Sequence, residues 1–306
     1  MSVEVSNITK LYGEQKALDD VSFSVEPGQV VGFLGPNGAG KSTMMKIITC
    51  FLPQTSGKVT VDGFDVTDQP VEVRRLVGYL PEHNPLYHDM YVKEFLTFIG
   101  GIQLPSKMVA GRVKEMIDRT GLGVEQHKKI GALSKGYRQR VGLAQAMIHQ
   151  PNVLILDEPT TGLDPNQLVE IRQLIKDIGK EKTVILSTHI MQEVEAICDR
   201  VLIINKGQIV ADDKTTMLQQ KSADASVVMI EFDKPFNSKN LMTVAGVRRV
   251  EKISDNSCRV HGDKGMDLRP VLFKYSVDNG LSIITLQKEE NSLESIFRQL
   301  TSQKTV

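Results

Sequence analysis

The run Gly35-Pro36-Asn37-Gly38-Ala39-Gly40-Lys41-Ser42 sets glycines ahead of a lysine and a hydroxyl residue in the pattern G-x-x-x-x-G-K-[ST]. Glycines let backbone N–H groups converge on phosphate oxygens without a Cβ in the way. Lys41 can neutralise β- and γ-phosphates, and the Ser42 hydroxyl can ligate Mg²⁺. The chemistry is the holding of a nucleoside triphosphate. An apolar strand, Val30–Leu34, leads in, and a helical run, Thr43–Cys50, leads out, so the loop sits at a helix N-terminus that favours anions. Thr43 belongs to the same phosphate-binding set. A second constellation ends the apolar run Val153–Leu156 with Asp157 and Glu158. Acids at the C-terminal end of a parallel strand lie where ligands bind. Asp157 can hold Mg²⁺ through water, and Glu158, expected to point away from it by strand alternation, can polarise an attacking water.

Both motifs need a sheet behind them. Val3–Ile8 and Val21–Val25 alternate as strands do, and Lys58–Val61 is followed by the tight-turn pair Asp62-Gly63. From about Tyr91 to Gln150 the pattern is mostly helical. A further helix has clear borders: Asp164 caps it, Pro165 suits its first position, Leu168, Ile171, Ile175 and Ile178 form one face, and Gly179 ends it. Thr183–Thr188 and Val201–Ile204 read as buried strands around a helix at Ile190–Cys198. The expected fold class is α/β: a P-loop NTPase sheet, mostly parallel, with an antiparallel β subdomain and a helical subdomain.

The polar stretch Gln219–Ala225 reads as a linker between a nucleotide-binding domain at 1–218 and a small α+β accessory domain at 226–306. The second domain shows strand (Val227–Phe232), helix (Ser238–Thr243), strands (Val247–Ile253 and Ser257–Val260), helix (Asp267–Val277), strand (Leu281–Leu286) and helix (Ser292–Thr301). That is the split βαβ order of ferredoxin-like domains. No catalytic constellation stands out there, so a regulatory or dimer-supporting role is expected.

Composition narrows the function further. Of 306 residues, 41% are hydrophobic and 24% charged, ordinary globular material. Lys plus Arg and Asp plus Glu number 37 each, so the basic footprint of a nucleic-acid binder is missing from the global balance. Cys50, Cys198 and Cys258 are isolated, which indicates neither a disulfide framework nor a zinc site. No apolar run reaches the ~18 residues a membrane-spanning helix needs, and the first residues lack the pattern of a signal peptide. Membrane work would fall to another polypeptide.

Six motifs in order resemble those of the ATP-binding subunits of ABC transporters, over about residues 2 to 215. Besides the two above, Leu133-Ser134-Lys135-Gly136-Tyr137 is similar to the Leu-Ser-Gly-Gly-Gln signature, and Pro159–Pro165 resembles the D-loop region. Ser187-Thr188-His189 resembles the switch histidine, and Leu11-Tyr12-Gly13 the aromatic loop. The resemblance implies that ATP is the nucleotide and that Tyr12 stacks on its adenine. It implies Ser134 and Gly136 on the γ-phosphate of ATP held by an opposite subunit, and Asp164 as a bridge between subunits. Glu158 would be the general base, and His189 would hold γ-phosphate and water. Taken singly, Tyr12 could be a strand-end aromatic, His189 a core histidine and Ser134 an N-cap.

Two departures stand out. Glu82 replaces the family's Gln as a Mg²⁺ contact, and Lys135 and Tyr137 replace Gly and Gln of the signature. Together with the second domain they resemble the exporter-type members that pair with ABC-2 permeases. Leu80–Tyr91 is most similar to the gliding-motility-associated ATP-binding subunits of Bacteroidetes; a drug, polysaccharide or lipid exporter is the alternative. The implied partners are a membrane permease, docked near Leu80–Met90, and a second ATPase chain in a nucleotide-dependent homodimer. The implied place is cytoplasmic, peripheral on the inner face of the cell membrane. Tyr87, Tyr91, Phe95 and Phe98 read as core of the helical subdomain rather than partner contacts. A soluble ABC ATPase acting on nucleic acid and a non-hydrolysing scaffold are the other classes; neutral charge and intact Glu158 and His189 disfavour them.

Overall fold

The computed structural model describes residues 2–217, 227–263, 266–289 and 297. The chain divides into two compact units, residues 1–215 and 216–306.

The first unit holds two sheets. One is antiparallel, in the order β2 (Gln15–Val25), β1 (Val3–Tyr12), β4 (Ser56–Val61), β5 (Phe64–Asp65). β1 runs on past Ile8, where the alternation fades, because β2 pairs with it as far as Tyr12↔Gln15. Asp62 and Gly63 both take positive φ, 46° and 86°, as a two-residue hairpin turn demands.

The other sheet has the order β10 (Gln208–Lys214), β9 (Arg200–Asn205), β3 (Val30–Leu34), β8 (Thr183–Thr188), β7 (Val153–Asp157), β6 (Val77–Leu80). Five strands are parallel, and β10 closes one edge antiparallel to β9. The central strands β3, β7 and β8 are buried at every position, which is why they read as apolar runs and not as alternation. β10 escapes sequence reading because it covers alternate side chains only in part and ends in Asp212, Asp213 and Lys214.

Helix α1 (Lys41–Ile48) contacts strands of both sheets and buries Met44, Met45, Ile47 and Ile48 between them. α2 (Pro70–Leu76) leads into β6. The expected helical stretch resolves into α3 (Val92–Gln103), α4 (Ser106–Arg119) and α5 (Lys135–Met147). Buried Arg112 of α4 donates to the carbonyls of Met147 (2.7 Å) and Ile148 (2.9 Å), tying α4 to the end of α5. Of the four aromatics expected in this core, only Phe95 is buried. Tyr87, Tyr91 and Phe98 are about half exposed: the tyrosines precede α3, and Phe98 lies with Ile102 on its outward side. α6 (Pro165–Gly179) and α7 (Met191–Ile197) complete the unit. Asp164 caps α6 as expected, and Ile171, Ile175 and Ile178 are its buried face.

The second unit places β11 (Val227–Phe232), α8 (Ser238–Leu241), β12 (Val247–Lys252), β13 (Ser257–Gly262), α9 (Arg269–Asp278) and β14 (Ile283–Glu289) in that order. Its antiparallel sheet runs β12-β13-β11-β14, so the last two strands flank the first as in a split βαβ arrangement. Val228, Ile230, Phe232, Val260 and Leu272 form its core. The expected linker lies outside the described residues, as does the expected helix Ser292–Thr301 apart from Phe297.

Candidate functional site

The glycine loop emerges from the C-terminal end of β3 and closes onto α1. Two of its glycines are compelled by space. A Cβ on Gly40, at φ 109°, would stand 2.5 Å from the Ala17 carbonyl oxygen, and one on Gly35 would stand 2.5 Å from that of Ile204. Asn37 and Gly38 form the turn between them, with Ala39 N–H donating to Pro36 O (3.1 Å). Ala39 itself is buried.

Lys41 folds back over the loop. Its Nζ donates to Gly35 O (2.8 Å) and Pro36 O (3.3 Å) and lies 3.4 Å from Glu158 Oε1. Both side chains of that pair are under a tenth exposed. Ser42 Oγ donates to Asp157 Oδ1 (3.0 Å), and Ser187 Oγ donates to the same oxygen. Burial raises the Asp157 pKa above its ordinary value; the two serine hydroxyls oppose the rise, and the charges of Glu82 and Glu158 add to it.

Glu158 corrects an expectation. It lies one residue beyond β7, at φ 50°, so strand alternation does not aim it. The turn is fixed from outside, since Glu158 N–H is shared between Ser187 O and Ser187 Oγ, each at 3.1 Å. This bend swings Glu158 toward Lys41 and His189. Its Oε2 accepts from Thr161 Oγ1 (3.1 Å) and meets His189 Nδ1 at 2.9 Å.

The resulting cleft, about 680 Å³, is lined by the loop residues Asn37, Gly38, Gly40, Lys41, Ser42 and Thr43, and by Glu82, Glu158 and His189. Tyr12, about half exposed at the end of β1, stands at its mouth with Gln15 and Ala17. Gln15 and Thr161 also line it and carry no sequence signal of their own.

Ser134, Gly136 and Asp164 do not line this cleft. They form a second cluster where α5 and α6 begin. Ser134 Oγ accepts from Tyr137 N–H (3.3 Å) and Gln167 Nε2 (3.5 Å). A Cβ on Gly136 would meet Gln167 Oε1 at 2.6 Å. Asp164 Oδ1 accepts from Asn166 N–H (3.1 Å) and Gln167 N–H (3.0 Å). Lys135 Nζ packs against Gly162.

Mg²⁺ can be tested against the donor set. Among the described residues no group of three or more His, Cys, Asp or Glu forms a metal cage. Mg²⁺ suits such a place, because it keeps several waters and binds through one or two side chains plus substrate phosphates. A hydroxyl and a carboxylate in mutual contact, Ser42 and Asp157, fit that requirement. Lys41 stands against Glu82 and Glu158 in the cleft and Asp157 behind Ser42, an excess of negative charge that a cation would balance.

The sequence profile described as ABC transporter matches residues 18–161, and one described as an AAA domain matches 129–195. The chain is 41% identical over 198 residues to the ABC transporter ATP-binding protein NatA of Bacillus subtilis, covering 64% of this chain and 80% of that one. It is 31% identical over 309 residues to the bacitracin transport ATP-binding protein BcrA of Bacillus licheniformis, covering 99% and 98%. A solved dimeric, post-hydrolysis structure of the ATP-binding cassette MJ0796 bound to ADP and Pi superposes with a TM-score of 0.64 at 28% identity, over 69% of this chain and 98% of that one. With the glycine loop, Glu158 and His189 meeting at one cleft, and a relative matched end to end, the chain belongs to the ATP-binding subunits of ABC transporters and is an ATPase of that family.

Proposed function

We propose that the cleft binds Mg-ATP and that two such chains close head to tail around it, driving a membrane permease that works in export. The observation that carries the reading is the division of the motif residues into two clusters. Tyr12, the glycine loop, Glu158 and His189 line one cleft, with buried Asp157 bonded to Ser42 behind its wall, while Ser134, Gly136 and Asp164 sit at the starts of α5 and α6. A second chain would bring its own Ser134 and Gly136 to the γ-phosphate and its Asp164 across the pair.

Tyr12 stacks on adenine, and the N–H groups of Gly35–Thr43 with Lys41 hold the triphosphate. Ser42, Asp157 and Glu82 would hold Mg²⁺, which would supply charge neutralisation at the phosphates. Glu158 takes the proton of the attacking water, and His189 holds Glu158, γ-phosphate and water in line. Closure supplies position and charge, which is most of what phosphoryl transfer requires.

Residues 1–218 are the nucleotide-binding domain and 226–306 an accessory domain that supports the pair or regulates it. The permease docks on the outward stripe of α3, where Phe98 and Ile102 line a groove beside exposed Tyr87. Among the described residues no helix is long and apolar enough to cross a membrane, so docking there would hold the chain as a peripheral subunit on the cytoplasmic face. Export rests on the signature and Glu82 departures, and the end-to-end likeness to a bacitracin transport ATP-binding protein supports it. Gliding-motility export is the specific pathway suggested by Leu80–Tyr91.

The test is molar mass by light scattering of Glu158→Gln with and without Mg-ATP. A shift from monomer to dimer on Mg-ATP is expected. A monomer at saturating Mg-ATP refutes pairing by the chain alone.

A further inference from the structure

Two short segments meet beside the cleft, 158–161 after β7 and 188–189 at the end of β8. Consecutive residues on each face opposite ways. Thr161 and His189 turn outward, and both reach Glu158 Oε2, at 3.1 and 2.9 Å. Their neighbours Thr160 and Thr188 turn inward and both donate to Glu193, Thr160 Oγ1 to Oε1 and Thr188 Oγ1 to Oε2 (2.6 Å). Two carboxylates thus bridge the same two segments back to back, one in the cleft and one behind it.

The inner bridge is closed to solvent. Glu193 and Thr188 are fully buried and Thr160 nearly so. Thr188 Oγ1 also accepts from Ile190 N–H (3.0 Å), so this one hydroxyl fixes the backbone on both sides of His189. Glu193 lies in the first turn of α7, where the helix dipole favours its charge. A buried carboxylate is expensive to keep, and an apolar side chain of similar size commonly costs less at such a place. The proposed chemistry makes no use of Glu193, so its retention calls for a geometric reason.

We infer that Glu193 is a positioning residue: by holding Thr160 and Thr188 together it fixes His189 against Glu158. The outer contact has a half-exposed histidine and is adjustable. The inner one has two short, branched side chains on a carboxylate and is not. The consequence for turnover rests on the roles proposed for Glu158 and His189, whereas the positioning itself does not.

The experiment uses the full chain carrying Thr160→Val or Glu193→Gln, each alone and combined with His189→Ala. The sequence has six histidines, so imidazole resonances can be followed by NMR, and His189→Ala assigns the one that matters. In both single variants the His189 resonance should move or broaden while the other five hold. The dissociation constant for ATP should stay within about threefold, as expected for sites that share no partner with the nucleotide. The kcat should fall about ten- to a hundredfold, the scale of a small misplacement of a reacting group. On the His189→Ala background the same substitutions should change kcat by less than about twofold, because coupled residues are not additive.

An unmoved His189 resonance in both variants overturns the inference. So does a kcat loss that multiplies with that of His189→Ala. Should Glu193→Gln unfold, seen as collapse of all resonances, the isosteric Thr160→Val decides. Should His189→Ala turn over at the native rate, the role of His189 fails, and the resonance still decides the positioning.

Discussion

Lys41 is contested ground, and Glu158→Gln exposes the contest. The ammonium is held by two loop carbonyls and by Glu158 at 3.4 Å. At an effective dielectric of about 20, that separation corresponds to a gross attraction of about 5 kcal/mol. Desolvation of both groups offsets much of it. What remains is of the order of a charge-assisted hydrogen bond, about 1.5–3 kcal/mol, and the long distance favours the lower end. A γ-phosphate that recruits Lys41 must overcome this hold. Glutamine keeps the shape and can still meet Thr161 and His189, but it removes the charge that competes for Lys41. The variant should therefore bind ATP about 10- to 30-fold more tightly, since each 1.4 kcal/mol is tenfold. Its turnover should fall by about 10²–10⁴, the usual contribution of a general base. The same loss of a partner for Lys41 should lower the melting temperature of protein kept free of nucleotide. Calorimetric titration of native and variant chains with ATP, with Mg²⁺ and with EDTA, reads the affinity directly. A dissociation constant equal to the native one, or weaker, would show that Glu158 does not compete for Lys41 and would refute the reasoning.

Three further outcomes are expected. Gly40→Ala should destabilise the chain by about 1–3 kcal/mol in urea, because φ 109° and the Ala17 carbonyl both exclude a methyl group, and it should lose ATP binding; normal binding contradicts the account of the loop. Asp157→Asn should raise the melting temperature at neutral pH. The folded-state pKa of Asp157 is raised above its ordinary 3.8, by burial first, so the ionised form costs stability above the folded pKa. The gain should fade as the pH falls toward 3.8, and a gain that ignores pH would refute this. Tyr12→Ala, at a half-exposed ring, should leave stability within about 0.5 kcal/mol. It should weaken ATP by about 1–3 kcal/mol of stacking while leaving inorganic triphosphate unaffected; equal loss of both ligands argues against stacking.

Legibility in the sequence followed the range of the interactions. The glycine loop could be read because its constraints are local: a strand, a tight turn and a helix start within a dozen residues. Asp164 was legible for the same reason, as a cap beside Pro165. The aim of Glu158 was not, because its bend is imposed by Ser187, on another strand. Tyr87 and Phe98 look like core residues in any composition count, and only the packing of α3 shows which stripe faces outward. Glu193 reads as one more acid on a short amphipathic helix; its partners Thr160 and Thr188 are brought to it by the pairing of β7 with β8. Strand order in the second unit was legible only as a succession of elements, since the order β12-β13-β11-β14 depends on pairings far apart in the chain.

The three strands that deliver the reacting groups end within one residue of one another. Leu34 pairs with Thr188, and Asp157 with Ser187. A strand advances about 3.3 Å per residue and reverses its side chains at every step. One residue inserted into β7 or β8 would therefore shift Glu158 or His189 by about 3.3 Å and turn its neighbours over. Changes in chain length are confined to segments that do not set this level. The interval from the start of each central strand to its reacting residue behaves as a fixed gauge.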